Sequence, residues 1–208
     1  MSERIRQFFR EVSRCRQCYG AHDILVPAPD EASEKARILI VGEQPHRDAT
    51  QNDKGLGAHA EDPTVSQLTA YLEEAGVAHS EILYVTAVMC VPVDESLRPG
   101  RPTLDEARAC SRHLRRLITI LKPRLVIPLG HTAVQAVQAC FPEWTELRQY
   151  ILNYDVGRVL EGRETTVYPL YLASPSTLQA RPEMRQRRDW ARIPSILNGT
   201  ERRATAGN

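Results

Sequence analysis

Residues 103–137 read TLDEARACSRHLRRLITILKPRLVIPLGHTAVQAV. Thr103 and Glu106 stand at capping-box spacing, in which each side chain satisfies the other's free backbone N–H. Leu114, Leu117, Ile118 and Leu121 recur at i, i+3, i+4 and i+7, one apolar face, so the spacing predicts a helix over 104–121. Pro123 stops it. The run at 124–129 is short, apolar and closed by Gly130, the pattern of a strand buried on both faces. A shorter helix over 131–140 follows. A helix, a doubly buried strand and another helix in succession are the unit of a parallel sheet covered on both sides.

Working outward, three more segments share the strand pattern: 37–41, 82–88 and 167–173. Asp62 and Pro63 predict a capped helix over 63–75, and a last helix covers 183–197. The expected architecture is three-layer α/β/α with a central, mainly parallel four-stranded sheet. One domain should span 1–198, with a surface loop at 27–35, a hairpin around Asp155–Gly157 and a disordered tail at 199–208. The chain of 208 residues is 42% hydrophobic and 25% charged, ordinary for a soluble globular protein. No run reaches the ~18–20 apolar residues of a membrane span. The opening MSERIRQFFREV lacks the apolar core of a signal peptide, which points to the cytoplasm. No heptad or long exposed apolar run is present, so a monomer is expected.

In such sheets ligands sit outside the carboxyl ends of the strands. The segments there are Gly42-Glu43-Gln44-Pro45-His46-Arg47-Asp48, Thr86 running into Met89-Cys90-Val91-Pro92, Gly130-His131-Thr132-Ala133, and Ser174-Pro175-Ser176-Thr177. Net charge is only +1, but residues 98–124 carry eight Lys/Arg against two Asp/Glu. Arg181, Arg185, Arg187, Arg188 and Arg192 form a second basic stretch. Such faces either bind phosphates or are solvated helix surfaces, and charge alone leaves both readings open.

Cys15 and Cys18 form a CxxC; Cys90 follows the second strand and Cys110 lies inside the next helix. A strand end and the following helix start are close in a βα unit, so the four thiols are expected to converge. An iron–sulfur cluster and an all-cysteine zinc site both fit this spacing. Cys140, on an apolar helical face, reads as a packed core thiol.

Together these motifs resemble the iron–sulfur uracil-DNA glycosylases called family 4, over roughly residues 10–195. CRQC (15–18) is similar to that family's first two cluster ligands, and ILIVGEQP (38–45) to its GEAPG motif. VMCVP and RPTLDEARAC (88–92 and 101–110) resemble the segments holding its third and fourth cysteines. LKPRLVIPLGHTAVQAV (121–137) resembles its helix–strand–Gly–helix segment. SPSTL (174–178), followed by Arg181-Pro182 and a Trp-bearing helix, resembles the HPS loop that enters the DNA minor groove. The resemblance implies a [4Fe-4S] cluster on Cys15, Cys18, Cys90 and Cys110, and DNA as partner.

It also implies roles for individual residues. Glu43, Asp48 and His46 become candidates for catalysis, and Gly42, Gln44, Thr86 and Ser174 for holding the base. Pro175, Ser176, Leu178, Arg181 and Arg185 become candidates for gripping DNA. The departures lie in the pocket. The family's base-stacking Phe is absent, with Leu56 or His59 as replacements. Thr86 stands where it has a uracil-reading Asn, Ser174 replaces the HPS histidine, and Ala49 and Thr50 stand at an acidic pair. The first loop is about five residues longer.

A DNA glycosylase of base-excision repair acting on uracil or a related deaminated base is therefore the leading expectation. The alternative is a weakened or inactive lesion-binding member of the same superfamily. A third reading is a zinc-stabilised nucleotide-binding α/β protein.

Overall fold

The computed structural model describes residues 3–19, 36–46, 61–94, 98 and 100–205, and of 200–205 the backbone only. Five strands form one sheet: β1 (Ile38–Gly42), β2 (Ile82–Thr86), β3 (Leu125–Pro128), β4 (Leu160–Glu161) and β5 (Thr166–Val167). Their order is β2-β1-β3-β5-β4. The first four in that order run parallel, with Gly42 beside Thr86 and Val41 beside Pro128.

All five residues of β1 are buried, because helices cover both faces. Leu39 and Val41 point into one core with Leu83, Val85 and Val126. Ile38 and Ile40 point into the other with Ile82, Leu125 and Ile127. The first core is closed by α1 (Glu3–Val12), α3 (Leu104–Leu121) and α4 (Gly130–Cys140) through Phe8, Leu114, Leu117, Val134 and Val137. The second is closed by α2 (Pro63–Glu74), α7 (Glu183–Ala191) and α8 (Ile193–Thr205), with Trp190 against Tyr71 at 6.2 Å between ring centroids. Two one-turn helices, α5 (Thr145–Arg148) and α6 (Leu152–Asp155), follow α4.

The expected helix over 104–121 forms with its capping box complete: Glu106 N donates to Thr103 Oγ1, and Thr103 N to Glu106 Oε2. It ends at Lys122, which is left-handed at φ 51°, just before Pro123. Asp62 caps α2 by accepting from Thr64 N at 2.7 Å.

Several local expectations change. The sheet has a fifth strand: β4 pairs antiparallel with β5, so the hairpin turns between Glu161 and Thr166. Around Asp155–Gly157 the chain instead leaves α6 through Gly157, at φ +81°. The strand expected over 167–173 is instead β5, Thr166–Val167, so only Val167 of that run is regular strand, although Tyr168 N and Leu170 N still donate to Val126 O and Pro128 O. Pro169 between them has no N–H for an outer neighbour. The helix over 183–197 is two helices. Pro194 cannot donate to a carbonyl in the preceding turn, so α7 stops at Ala191 and α8 restarts, with its proline in the tolerated first turn. α8 then runs to Thr205, past residue 198. Among the described residues, no helix is long and apolar enough to cross a membrane.

Candidate functional site

The carboxyl ends of β1, β2 and β3 are tied into one platform by backbone hydrogen bonds. Ala87 N donates to Gly42 O at 2.8 Å, Val88 N to Glu43 O at 3.1 Å, and Leu129 N to Val41 O at 2.8 Å. Gly130 N reaches Leu170 O at 2.9 Å, and the residue is at φ +82°, where a side chain would be strained as the chain swings into α4.

Side chains alternate along β1 and this sorts the loop above it. Gly42 lies on the α2 face under Tyr84, whose hydroxyl would stand 2.1 Å from a Cβ at that position. Glu43 is the next residue, and its Oε1 accepts from Thr132 Oγ1 at 2.9 Å in the first turn of α4. A carboxylate at a helix N-terminus is favoured by the unpaired N–H groups there. Burial, then the Asp62 and Glu43 carboxylates, push the Tyr84 hydroxyl up to about 12, so it stays protonated at neutral pH.

On the α2 side, His46 Nε2 faces Asp62 Oδ2 at 3.6 Å. Burial raises the Asp62 carboxyl, but the Thr64 and Val65 amides outweigh it and hold the group below its ordinary value, with His46 adding to that. Gln44 Nε2 donates to Gly100 O at 3.2 Å, tying the loop to the connection before α3. Its Oε1 is buried without a hydrogen-bond partner among the described residues. Thr86 is buried and donates its hydroxyl to Val88 O at 2.8 Å, so that proton faces its own chain. Asp48 lies outside the described residues, as do Leu56, His59, Ala49, Thr50 and the 27–35 loop.

The Ser174 turn is a short 3-10 helix, Pro175–Thr177, braced from behind. Ser174 is buried, its Oγ 2.9 Å from Ser176 Oγ. Thr177 Oγ1 bonds Leu172 O and Ser174 O, and Gln186 of α7 bonds Thr177 Oγ1 and Arg181 O. Pro175, Ser176 and Arg185 are exposed and Leu178 is half-buried. Arg181 is engaged within the fold. It forks onto Asp189, with Nε to Oδ2 at 2.9 Å and Nη2 to Oδ1 at 2.7 Å.

Much of the α3 arginine excess is likewise answered inside the molecule. Arg116 pairs with Glu11 and lies over the Phe8 ring. Arg115 pairs with Glu164 over Phe141, and Arg108 with Asp105.

Cys15, Cys18, Cys90 and Cys110 line one pocket between the end of α1, the β2 exit and α3, walled by Val12, Val88, Met89 and Ala109. Burial, then Cys110, Cys18 and Cys15, push the Cys90 thiol up to about 12. Burial, moderated by the Met89 amide, pushes Cys110 up to about 11. Four thiolates crowded into an apolar pocket repel each other unless a cationic centre compensates them, so the donor set suits a metal centre. Among the described residues no group of three or more His, Cys, Asp or Glu is arranged to hold a metal ion. Sulfur acceptors already have donors: Met89 N to Cys110 Sγ at 3.4 Å and Arg112 Nη2 to Cys15 Sγ at 3.7 Å. Cys140 packs in the first core and donates to Ser111 O.

The sequence places Thr132 on a strand-end loop of the site and Asp62 as a helix cap, but gives no sign of the Thr132 bond to Glu43 or of Asp62 facing His46. Tyr84 and Asp189 were missed, because their partners lie far away in the chain or across helix turns.

The profile of the Uracil DNA glycosylase superfamily matches residues 29–195. The type-4 uracil-DNA glycosylase of Archaeoglobus fulgidus is 25% identical over 189 residues, 88% of this chain and 87% of the relative. That of Sulfurisphaera tokodaii is 26% identical over 183 residues, 85% of this chain and 76% of the relative. That of Pyrobaculum aerophilum is 31% identical over 112 residues, 52% of each. A parallel sheet whose strand ends carry Glu43 and the braced Ser174 turn, matched by that profile over most of its length, makes this chain a member of the uracil-DNA glycosylase superfamily.

Proposed function

We infer that the protein is a DNA glycosylase that hydrolyses the N-glycosidic bond of uracil, or a related deaminated base, in DNA. The carrying observation is the Glu43 carboxylate, held by Thr132 at the α4 N-terminus in a chain of this superfamily. Bond cleavage leaves positive charge on the sugar and negative charge on the departing base. Glu43 orients the attacking water or stabilises the sugar cation, since its fixed oxygen needs no reorganisation during the reaction. Backbone N–H groups of the 42–46 loop meet the anionic base, with Gln44, Thr86 and Ser174 around it. His46, steadied by Asp62, serves as an electrophile beside that loop, and Asp48 is the second carboxylate candidate.

Reaching the bond requires extruding the nucleotide at a cost of a few kcal/mol. Pro175, Ser176 and Leu178 fill the vacated space and pinch the backbone, while Arg185 contacts phosphate. Arg181 supports them from within, because its guanidinium already holds Asp189.

Cys15, Cys18, Cys90 and Cys110 would hold a [4Fe-4S] cluster. When bound, it supplies cationic charge and a rigid cross-link between the N-terminal segment, the β2 exit and α3. The protein acts as a monomer in the cytoplasm, its single domain continuing through α8.

The test uses labelled oligonucleotides carrying uracil, hypoxanthine, xanthine or a G·T mismatch, incubated with protein and then treated with alkali. Strand breaks at the lesion are expected. Retention on a gel without breaks at any lesion defeats the enzymatic reading and leaves a lesion-binding protein.

A further inference from the structure

His113 lies one helical turn beyond Cys110 on α3 and lines the pocket shared by the four cysteines. Its Nε2 is buried and has no hydrogen-bond partner among the described residues. Native proteins rarely leave a buried ring nitrogen unanswered, so this atom points to a partner that the polypeptide does not provide. The neighbouring wall is mostly aliphatic: Val12, Val88, Met89 and Ala109 offer a nitrogen nothing. Tyr19 Oη, on the same wall, is likewise buried with no hydrogen-bond partner among the described residues. What the pocket does concentrate is sulfur. Two donors already serve it, the Met89 amide on Cys110 Sγ and the Arg112 guanidinium on Cys15 Sγ.

We propose that His113 is the third donor: its Nε2–H hydrogen-bonds a sulfur of the bound iron–sulfur cluster and raises the cluster's reduction potential. The idea rests on the cluster assignment made above. Adding an electron makes the cluster more negative, and a donor aimed at its sulfur stabilises that state more than the oxidised one. Met89 and Arg112 act in the same sense at other sulfurs. His113 is thus a positioning and tuning residue, separate from the four ligands.

The experiment uses the holoprotein as isolated, with iron and sulfide quantified first. Film voltammetry compares wild type, His113→Leu and His113→Gln; nitrogen couplings are read by pulsed EPR on the reduced wild type labelled with 15N-histidine. Loss of the donor in His113→Leu should weaken the reduction equilibrium about tenfold, ~59 mV lower for one electron. His113→Gln, which keeps an N–H, should recover most of that shift. The labelled wild type should show a weak 15N coupling.

A His113→Leu cluster with an unchanged potential overturns the proposal. So does a wild type without histidine coupling, or with a coupling as strong as direct iron ligation gives, and these two results stand even if the Leu variant fails to assemble. An iron-free, colourless wild type is a different failure, because it removes the cluster assignment itself.

Discussion

Replacing Gly42 by alanine tests the packing beneath the candidate site. An added Cβ would stand 2.1 Å from Tyr84 Oη and 2.9 Å from Cζ. Regaining an ordinary separation of ~3.5 Å requires about 1.4 Å of movement. Tyr84 has little room to give, since its ring is packed against the second core and burial has pushed its hydroxyl up to about 12. β1 is also held on both sides by parallel neighbours. Overpacking of this kind costs about 1–3 kcal/mol, and in a chain of this size each kcal/mol lowers Tm by about 2–4 °C. Gly42→Ala should therefore melt roughly 2–12 °C below wild type. It should also lose glycosylase activity, because the Gly42 and Glu43 carbonyls anchor the β2 exit. Tyr84→Phe deletes the oxygen that makes the worst clash, so the double variant should regain at least half of the lost stability. Urea unfolding of the four proteins gives the coupling, expected at about 0.5–3 kcal/mol. Strictly additive losses in the double variant would refute the steric account.

Thr132→Val keeps the shape but removes the donor on Glu43 Oε1; hydrogen bonds to charged groups contribute about 1.5–3 kcal/mol. Single-turnover cleavage of uracil-containing DNA should slow by about tenfold to a hundredfold with KM little changed, and Thr132→Ser should restore it. Arg181→Ala strands Asp189, whose side chain is only 9% exposed, so denaturant melts should show a loss of about 3 kcal/mol or more. Arg185→Ala should leave stability unchanged but reduce the salt dependence of DNA binding by about one phosphate contact. The Asp62 carboxyl is lowered in the fold, so its contribution is present above the unfolded value near 4 and fades as pH falls through the folded one. Asp62→Asn, still a good cap, should flatten the acid side of the stability profile, as thermal melts between pH 2 and 6 would register. Cys90→Ser should abolish the brown absorbance and lower Tm; an unaltered spectrum would remove Cys90 from the ligand set.

The elements legible in the sequence were those whose signals are local. The capping box at Thr103 and Glu106, the apolar face of α3 and the stop at Pro123 lie within about twenty residues and act through the helix itself. β1, β2 and β3 were legible because strands buried on both faces leave no polar alternation to misread. The 167–173 run looked the same, yet with Pro169 and a short β4 partner only Val167 of it is regular strand. Pro194 broke the last helix for a reason equally present in the sequence. The site divides in the same way. The cysteine pocket and strand-end loops followed from βα topology. Thr132 meeting Glu43 across 89 positions, or Arg181 folding back on Asp189, depends on tertiary closure that charge and spacing do not encode. An arginine after a Ser-Pro-Ser turn reads as a phosphate ligand until a buried carboxylate is found beside it.

The cysteine pocket and the Glu43 loop are neighbours along the same few residues. Val88 and Met89 both line the pocket, and Met89 N bonds Cys110 Sγ. Val88 N is also the donor to Glu43 O, and Ala87 N the donor to Gly42 O. The β2 exit is therefore shared, one side facing the thiols and the other fixing the backbone that carries the candidate catalytic carboxylate. Thr86 adds to this rigidity by closing its hydroxyl onto Val88 O. A centre that cross-links Cys90 to Cys110 and to the N-terminal CxxC would hold this exit in place without taking part in bond cleavage. Its loss would act on Glu43 through two backbone hydrogen bonds, whose donors precede Cys90 by only two and three residues. A structural group and a chemical group on opposite sides of one short segment thus fail together, and the sharpest sign of cluster loss should be a falling cleavage rate that tracks the melting of this corner.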